Sequence, residues 1–278
     1  MRPWLLTTIF PAVALVSSAG AFGANPPKPA HVVLVIEENR PFQTLIGGKD
    51  APYINELAGK GALFTRSFAI THPSEPNYLA LFAGDTEGLA DDSCPHSYSG
   101  PNLADALSAK GLSFAIYSEN LPQEGFADCG TLDKLYRRKH NPVPNFASVP
   151  TEANQPFSSF PADYSKLPTV AYVVPNMMND MHDGTVQQAD AWLKQNLDGY
   201  MQWALKNHSL LIVTWDEDDG TQNNQIATIV IGQGVKPGHY DQKIDHYSVL
   251  RTLTDMYKLK PIGHAAKAKP IKGIWGKN

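Results

Sequence analysis

The chain has 278 residues, of which 42% are hydrophobic and 18% charged, and its formal net charge is −4. This composition is typical of a globular protein and argues against intrinsic disorder, because disordered chains are poor in apolar residues and rich in net charge. The sequence also lacks a run of clustered cations, which argues against a nucleic-acid-binding protein, so we expect no nucleic-acid partner.

The N-terminus, residues 1–24, has the pattern of a secretory signal peptide. Arg2 precedes an apolar stretch that Pro11 interrupts, and small residues then offer a cleavage site at Ala19-Gly20-Ala21 or at Ala21-Phe22-Gly23. The apolar stretch is too short to span a bilayer well. We therefore expect a periplasmic or secreted protein. A buried N-terminal helix and an uncleaved membrane anchor are the alternatives.

The rest of the chain alternates between strand and helix patterns. Continuous apolar and β-branched runs, typical of strands buried on both faces, predict strands at 31–36, 63–70, 112–117, 169–174, 210–215 and 226–231. Helical patterns, some with proline in the first turn or glycine at the end, cover 51–61, 76–82, 102–110, 186–206 and 247–257. The stretch 121–167 predicts long loops. This alternation predicts an α/β three-layer sandwich with a mostly parallel central sheet, in one domain spanning 25–278.

Two cysteines, Cys94 and Cys129, fit an exported protein. An oxidising compartment favours a disulfide between them, which would close the intervening loop. The alternative is two unrelated buried thiols. The cysteine and histidine spacing does not predict a structural zinc site.

Polar residues follow the predicted strands, at the edge where open α/β sheets bind their ligands. They are Glu37 to Arg40, Thr71 to Asn77, Asn176 with Asp180, His182 and Asp183, Asp216 to Asp219, and Asp245 with His246. The set combines hard oxygen donors with a serine at the start of a helix. This combination suits phosphoryl transfer, because a divalent cation and a helix N-terminus both favour an anion or an ionised nucleophile.

Candidate roles follow from the chemistry of the side chains. The candidate ligands of a divalent metal ion of unknown identity are the oxygen donors Glu38, Asn39, Asp216 and Glu217. Ser74 is the candidate nucleophile, because its hydroxyl could be activated by such an ion. The candidate acids for protonating the leaving oxygen are His182, His246 and His140. Lys139 could bind a negatively charged substrate.

Each residue also has a structural interpretation. Ser74 is a suitable helix N-cap, and the acids at 216–219 could form a solvated turn. A lone histidine is more often a structural hydrogen-bonding group than a catalyst. Arg137, Arg138 and Lys139 could form a solvated face. The convergence of these residues at one edge of the sheet favours the catalytic interpretation.

Several segments resemble motifs of a known enzyme family. Glu38-Asn-Arg-Pro-Phe42 is similar to the Glu-Asn-Arg-Ser-Phe motif of the bacterial phospholipase C and acid phosphatase family, part of the alkaline phosphatase superfamily. Thr71 to Asn77 resembles the nucleophile segment of that family, and Val213 to Glu217 resembles its late strand with a metal-binding acidic pair. Other similar segments are 52–64, 118–120, 138–142 and 176–184.

The resemblance covers about residues 31–258 and implies an alkaline-phosphatase-like fold. It implies Ser74 as nucleophile and Asn77 as a contact to a phosphate oxygen. Asn176 stands where two-metal relatives have an aspartate, so we expect one metal ion with histidine assistance, and a second ion stays open. The chain lacks the long additions of the larger phospholipases, which favours small soluble phosphomonoesters.

The sequence therefore predicts a secreted, metal-dependent acid phosphatase that hydrolyses small phosphomonoesters through a phosphoserine intermediate. We expect no stable membrane insertion once the signal peptide is removed. A phospholipase C-type phosphodiesterase acting on choline lipids is the nearest alternative. A non-catalytic phosphate- or sugar-binding module is the alternative from another class, and the presence of Ser74 together with the four candidate ligands argues against it.

Overall fold

The computed structural model describes Met1 and residues 26–276, so the predicted signal peptide lies outside the described residues except for Met1. In the described part of the chain, no helix is both long and apolar enough to cross a bilayer. Cys94 and Cys129 form a disulfide, with their Cα atoms 5.8 Å apart, and this confirms the predicted pairing.

A nine-stranded sheet forms the centre of the structure. Its strands are β1 Val32–Glu37, β2 Ala62–Phe68, β3 Phe114–Ser118, β4 Asn154–Pro156, β5 Val170–Val174, β6 Leu210–Trp215, β7 Gln225–Gly232, β8 Gly238–Tyr240 and β9 Ile244–Asp245. The strand order is β4-β3-β5-β1-β6-β7-β2-β8, and β9 pairs with β2. All neighbouring strands are parallel except β7, which runs antiparallel to β6 and β2. The predicted mostly parallel sheet is confirmed.

Helices cover both faces of the sheet. They are α1 Phe42–Leu45, α2 Pro52–Lys60, α3 Ser74–Ala83, α4 Leu103–Ser108, α5 Val186–Ala204 and α6 His246–Met256. The predicted loop region 121–167 is mostly irregular and contains five short 3₁₀ helices and the three-residue strand β4.

Strand β1 shows how the sequence builds this core. All six of its residues are buried, and alternate side chains point to opposite faces of the sheet. Leu34 packs into the cluster that includes Leu79 of α3 and Leu250 of α6. Val35 packs into the other cluster, with residues of α2 and α5. The sheet therefore lies between two helical layers, as the continuous apolar run predicts for a strand buried on both faces.

Candidate active site

The parallel strands β1, β5 and β6 bring their carboxyl ends to one edge of the sheet, where backbone contacts fix the loops that follow. The Glu38 amide donates to the Asp180 carbonyl at 2.8 Å, and the Asp216 amide donates to the Glu37 carbonyl at the same distance. The Asn39 amide donates to Oδ1 of Asp216 at 3.1 Å. Residues far apart in the sequence are thus held together by main-chain hydrogen bonds.

Ser74 is the first residue of α3, and its side chain is buried. Its Oγ atom lies 3.1 Å from Oε2 of Glu38 and 3.2 Å from Oε1 of Glu217. The N-cap residue of α3 is Pro73, so the interpretation of Ser74 as only a helix N-cap is wrong. The serine hydroxyl instead lies within hydrogen-bond distance of acidic side chains that follow β1 and β6, at a helix N-terminus where the helix dipole favours negative charge.

Glu38 occupies the centre of the site. Oε1 accepts a hydrogen bond of 2.6 Å from the Tyr78 hydroxyl, and it lies 3.0 Å from Nε2 of His140. The other imidazole nitrogen of His140, Nδ1, lies 3.2 Å from Oδ2 of Asp180. His140 also stacks on the Tyr78 ring, with the centroids 5.2 Å apart. The histidine is therefore fixed between two carboxylates.

Several buried polar atoms of this site make no hydrogen bond within the described chain. They are Asn39 Oδ1, His140 Nε2, Asp180 Oδ2 and Asp216 Oδ2. Unpaired buried polar atoms are rare in proteins, because leaving them unsatisfied costs about 1–3 kcal/mol each. The two contacts of His140 are thus close approaches without hydrogen-bond geometry, as expected of atoms that face a common cation.

The carboxylates of the site repel one another. Burial, followed by the negative charge of Glu217, raises the pKa of Asp216 to about 8. Burial also raises the pKa of Glu217 to about 7. The pKa values of Glu38 and Asp180 are raised by burial and by the charge of Asp216. The nearby Lys139 ammonium lowers the pKa values of Glu38, Asp180 and Glu217 but does not outweigh burial and repulsion, and a divalent cation would supply further positive charge.

One ligand atom each from Glu38, His140 and His182 lies within 4.8 Å of the others, so these residues could hold a metal ion. Glu38 belongs to the predicted ligand set, whereas the two histidines were predicted as acids. Of the other predicted ligands, Glu217 lies 3.2 Å from Ser74 Oγ, and Asp216 accepts from the Asn39 amide. Oxygen and imidazole donors together fit a divalent cation.

Lys139 lies beside this cluster. Its Nζ atom is 3.0 Å from Nε2 of His182 and 2.9 Å from Oδ2 of Asp92. Nδ1 of His182 lies 2.8 Å from Oδ1 of Asp183. Arg138 is buried and donates to backbone carbonyls, including that of His96 at 3.0 Å. The solvated-face interpretation is therefore wrong for Arg138 and Lys139.

The mouth of the site is a cleft of about 450 Å³, lined by residues that include Asn39, Arg40, His72, His182, Glu217 and Asp218. Nδ1 of His72 lies 2.6 Å from Oε2 of Glu217. Asp216, Glu217 and Asp218 are buried and Asp219 is exposed, so the solvated-turn interpretation is wrong for the first three acids. An anionic substrate would enter this cleft beside charged groups of both signs.

Two predicted site residues, Asn77 and His246, contact backbone groups of the loops that form the site. The Asn77 side chain accepts from the amides of Ile70 and Thr71 at 3.0 and 3.2 Å, and it donates to the carbonyls of Thr71 and Pro73. It thus holds the loop before Ser74, and its predicted contact with phosphate stays a prediction. Nε2 of His246 lies 2.6 Å from the Asp216 carbonyl, so this histidine contacts the backbone of the acidic pair.

Two residues of the site, Tyr78 and Asp92, were missed in the sequence, and Asp180 was expected at this edge of the sheet without a role. Asp180 follows β5 by six residues, and its pattern with His182 was a usable signal. Tyr78 lies one helical turn after Ser74, where a residue shares the same face of the helix. Asp92 offers no local signal, because it reaches the site from the loop near the disulfide.

Comparisons with known proteins agree with this geometry. The model of the Phosphoesterase family matches residues 48–260. A phosphatidylinositol-3-phosphatase of Mycobacterium tuberculosis is 49% identical, over 95% of this chain and 89% of its own length. An acid phosphatase of Aspergillus fumigatus is 31% identical over 91% of this chain, and the match spans 62% of that protein. A probable acid phosphatase of Kluyveromyces lactis is 35% identical over 83% of this chain and 58% of its own length.

Solved structures are similar in fold. A protein of the alkaline phosphatase superfamily from Vibrio parahaemolyticus has a TM-score of 0.63 and 15% identity, covering 89% of this chain and 72% of that one. The phosphonate monoester hydrolase of Agrobacterium radiobacter has a TM-score of 0.54 and 14% identity, covering 87% of this chain and 78% of that one. The predicted alkaline-phosphatase-like fold is confirmed.

Proposed function

The chain belongs to the Phosphoesterase family and is a hydrolase of phosphoric esters, and on that premise we propose that it is a secreted, metal-dependent phosphomonoesterase with Ser74 as nucleophile. The observation that carries the proposal is the contact of the buried Ser74 hydroxyl with Glu38 and Glu217, beside buried polar atoms that lack partners. This arrangement provides a nucleophile, proton acceptors and a place for positive charge within one cluster.

The two carboxylates prepare Ser74 for attack. Because Oγ lies within hydrogen-bond distance of both carboxylates, it is held at the N-terminus of α3, and the carboxylate that accepts its single proton can take that proton as Oγ bonds to phosphorus. The positive end of the helix dipole favours the developing negative charge. The product of this step is a phosphoserine, with release of the alcohol.

The residues that would hold a divalent cation are Glu38, Asn39, His140, Asp180, His182, Asp216 and Glu217. When bound, the cation would lower the pKa of the serine hydroxyl and neutralise charge on the phosphate oxygens. The raised pKa values of the buried carboxylates support this, because such a group of acids is stable in ionised form only beside positive charge.

Lys139 serves the substrate side, because its ammonium offers positive charge to phosphate. The ammonium also donates to Nε2 of His182, so this nitrogen carries no proton for the leaving oxygen, which takes its proton from solvent. Water then attacks the phosphoserine, and inorganic phosphate leaves. Burial and the neighbouring Lys139 lower the pKa of His182 and hold the pKa of His140 well below the usual range, so neither imidazole is suited to acid catalysis.

The relatives support a phosphomonoester as substrate. Acid phosphatases match 76–91% of this chain, although the chain spans only 55–62% of their lengths. The relative with 49% identity is a phosphatidylinositol-3-phosphatase. Its match over 89% of its own length favours a second candidate function, removal of the monoester phosphate from a phosphoinositide. The chemistry at Ser74 is the same for both substrates.

The test is a substrate panel for the purified mature protein with added divalent ions. The panel is p-nitrophenyl phosphate, its bis-ester, p-nitrophenyl phosphorylcholine and a short-chain phosphatidylinositol 3-phosphate. We expect hydrolysis of monoesters, a loss of kcat of at least about 10³-fold in Ser74→Ala, and wild-type activity in Ser209→Ala. Ser209 is a matched control because its buried hydroxyl donates to the Asn207 carbonyl next to β6.

Other outcomes would contradict the proposal. Full activity of Ser74→Ala would remove the serine mechanism. Preference for the choline diester would assign the protein to phospholipase C chemistry with the same catalytic core. Inactivity on all substrates would favour a non-catalytic binding module.

A further inference from the structure

Asp92 connects two parts of the site. Its Oδ1 atom accepts from the amide of Glu75, the residue after Ser74, at 3.0 Å. Its Oδ2 atom lies 2.9 Å from Nζ of Lys139. Asp92 therefore contacts both the N-terminal turn of α3 and the Lys139 ammonium.

The Lys139 ammonium is held in a defined position. An ammonium carries three N–H donors, and contacts with Asp92 and His182 use two of them. The third donor is available to a phosphate oxygen. The contact of Lys139 with Asp92 is an ion pair at 2.9 Å between two partly buried side chains.

Residues 91–98, which include Asp92, are held in place by contacts that do not involve Lys139. Cys94 is bonded to Cys129, and the His96 carbonyl accepts from the Arg138 guanidinium at 3.0 Å. The Tyr98 amide donates to the Asn145 carbonyl at 2.7 Å. Because the backbone of this segment is fixed and lysine has a flexible four-carbon stem, Asp92 is the anchor and Lys139 is the group that it positions.

We propose that Asp92 is a positioning residue, which holds the Lys139 ammonium at the N-terminus of α3 and thereby sets the affinity of the site for phosphate. The proposal rests on the proposed function. Without Asp92, the charges of Glu38 and Asp216 would attract the ammonium away from the substrate and toward the buried acids. A bound phosphate would then lose the hydrogen bond that the Lys139 ammonium donates to it.

A purely structural role for Asp92 is the competing explanation, because it also accepts from the Glu75 amide. Asp92→Asn separates the two roles, since an amide oxygen still accepts from Glu75 while the charge that holds Lys139 is lost. Asp91→Asn is the matched control. Asp91 is the neighbouring acid, and its side chain accepts from the amide of Ser93.

The experiment is a double-mutant cycle with Asp92→Asn, Lys139→Met and the combined variant. The readouts are kcat and KM for p-nitrophenyl phosphate, and the inhibition constant of inorganic phosphate. We expect Asp92→Asn to raise KM and the inhibition constant about tenfold, the effect of about one charge-assisted hydrogen bond, with kcat within about threefold. In the Lys139→Met background, Asp92→Asn should add less than about twofold, because residues that act together are not additive. Asp91→Asn should match the wild type.

Two results would overturn the proposal. One is a KM and a phosphate inhibition constant that stay unchanged in Asp92→Asn. The other is a combined variant whose increase in KM equals the product of the increases in the two single variants, which would mean that Asp92 acts independently of Lys139. Melting temperatures check folding, and Asp92→Ser, which also keeps an acceptor oxygen, replaces Asp92→Asn if that variant does not fold.

Failure of the proposed function gives a different result. A wild-type protein that hydrolyses no phosphomonoester with divalent ions present overturns the proposed function. Calorimetric binding of inorganic phosphate to the wild type and to Asp92→Asn then decides the inference by itself. Equal affinities overturn it, and about tenfold weaker binding by the variant supports it.

Discussion

The Tyr78 hydroxyl donates a 2.6 Å hydrogen bond to Glu38, the carboxylate whose other oxygen accepts from Ser74. Tyr78 and Ser74 are four residues apart on α3 and therefore lie on the same helical face. The helix that presents the nucleophile thus also orients its carboxylate partner. Tyr78 and Glu38 are both fully buried, so water cannot replace either contact readily.

Removing this hydroxyl should weaken catalysis more than folding. Tyr78→Phe keeps the ring that stacks on His140 but leaves one oxygen of Glu38 without its donor. Since a hydrogen bond to a charged group contributes about 1.5–3 kcal/mol, we expect kcat/KM to fall about 10- to 100-fold. Steady-state kinetics on p-nitrophenyl phosphate measure this effect.

Tyr172→Phe is the control for that variant. The Tyr172 hydroxyl is also buried and donates to the Leu81 carbonyl at 2.8 Å, away from the acidic cluster. It should lower stability with kcat/KM unchanged. An equal loss of activity in both variants would show that general weakening of the core, rather than orientation of Glu38, explains the result.

The buried acids predict a dependence of stability on pH and on divalent ions. The folded pKa values of Asp216 and Glu217, about 8 and about 7, lie above the ordinary values of 3.8 and 4.5. The folded protein therefore binds more protons than the unfolded chain in this range. Without a cation, stability should fall as pH rises from about 4 to about 8. The two acids contribute no such loss below about pH 4, where they are protonated in both states.

A bound divalent cation should remove this loss. At a concentration 100 times its Kd, an ion that binds only the folded state stabilises it by about 2.7 kcal/mol. Melting temperatures at pH 5 and pH 8, with EDTA and then with a series of divalent ions, measure both effects. The expected rise is larger at pH 8, because protons compete with the ion at pH 5. Asp216→Asn should reduce the rise in melting temperature that the ion causes. If divalent ions do not raise the melting temperature of the wild type at either pH, the protein has no cation site that stabilises the fold.

The fold was predictable because its core strands carry continuous apolar runs. The first such run predicts a strand at 31–36, and the structure places β1 at Val32–Glu37. The three strands that the sequence missed are β4, β8 and β9, with two or three residues each. Such short segments show no periodicity, and β4 contains only polar residues and proline. Their pairing depends on the sheet edge that tertiary packing provides.

The site was predictable where it depends on strand ends and not where it depends on the paths of loops. Glu38, Ser74 and Glu217 converge because each follows or begins a regular element at the same edge of the sheet. Asp180 reaches the cluster through a loop after β5, held by the bond between its carbonyl and the Glu38 amide. Local sequence does not encode such a long-range contact.

Asn77 offers a test between a structural role and contact with substrate. In Asn77→Ala the amides of Ile70 and Thr71 lose their acceptor. Each unsatisfied buried group costs about 1–3 kcal/mol, so we expect the free energy of unfolding in urea to fall by about 2–4 kcal/mol. Asn207→Ala is the control, because Asn207 is exposed and its side chain donates to the Trp203 carbonyl. A higher KM with unchanged unfolding free energy would instead assign Asn77 to binding phosphate.

The disulfide should stabilise the fold and the segment that carries Asp92. Cys94 and Cys129 are separated by 35 positions, and closing a loop of this length contributes about 4 kcal/mol in the chain-entropy treatment. We expect the paired variant Cys94→Ser with Cys129→Ser to unfold at a correspondingly lower urea concentration. It should also have a higher KM, because Asp92 lies two residues from Cys94 and loses part of its support.

A reductant provides the control for the disulfide. Dithiothreitol should lower the stability of the wild type toward that of the paired serine variant and leave the variant itself unchanged. If the variant is as stable as the oxidised wild type, the hydrogen bonds of Arg138 and Asn145 hold residues 91–98 without the disulfide. If its stability falls while KM stays constant, the disulfide constrains the unfolded chain but does not position Asp92.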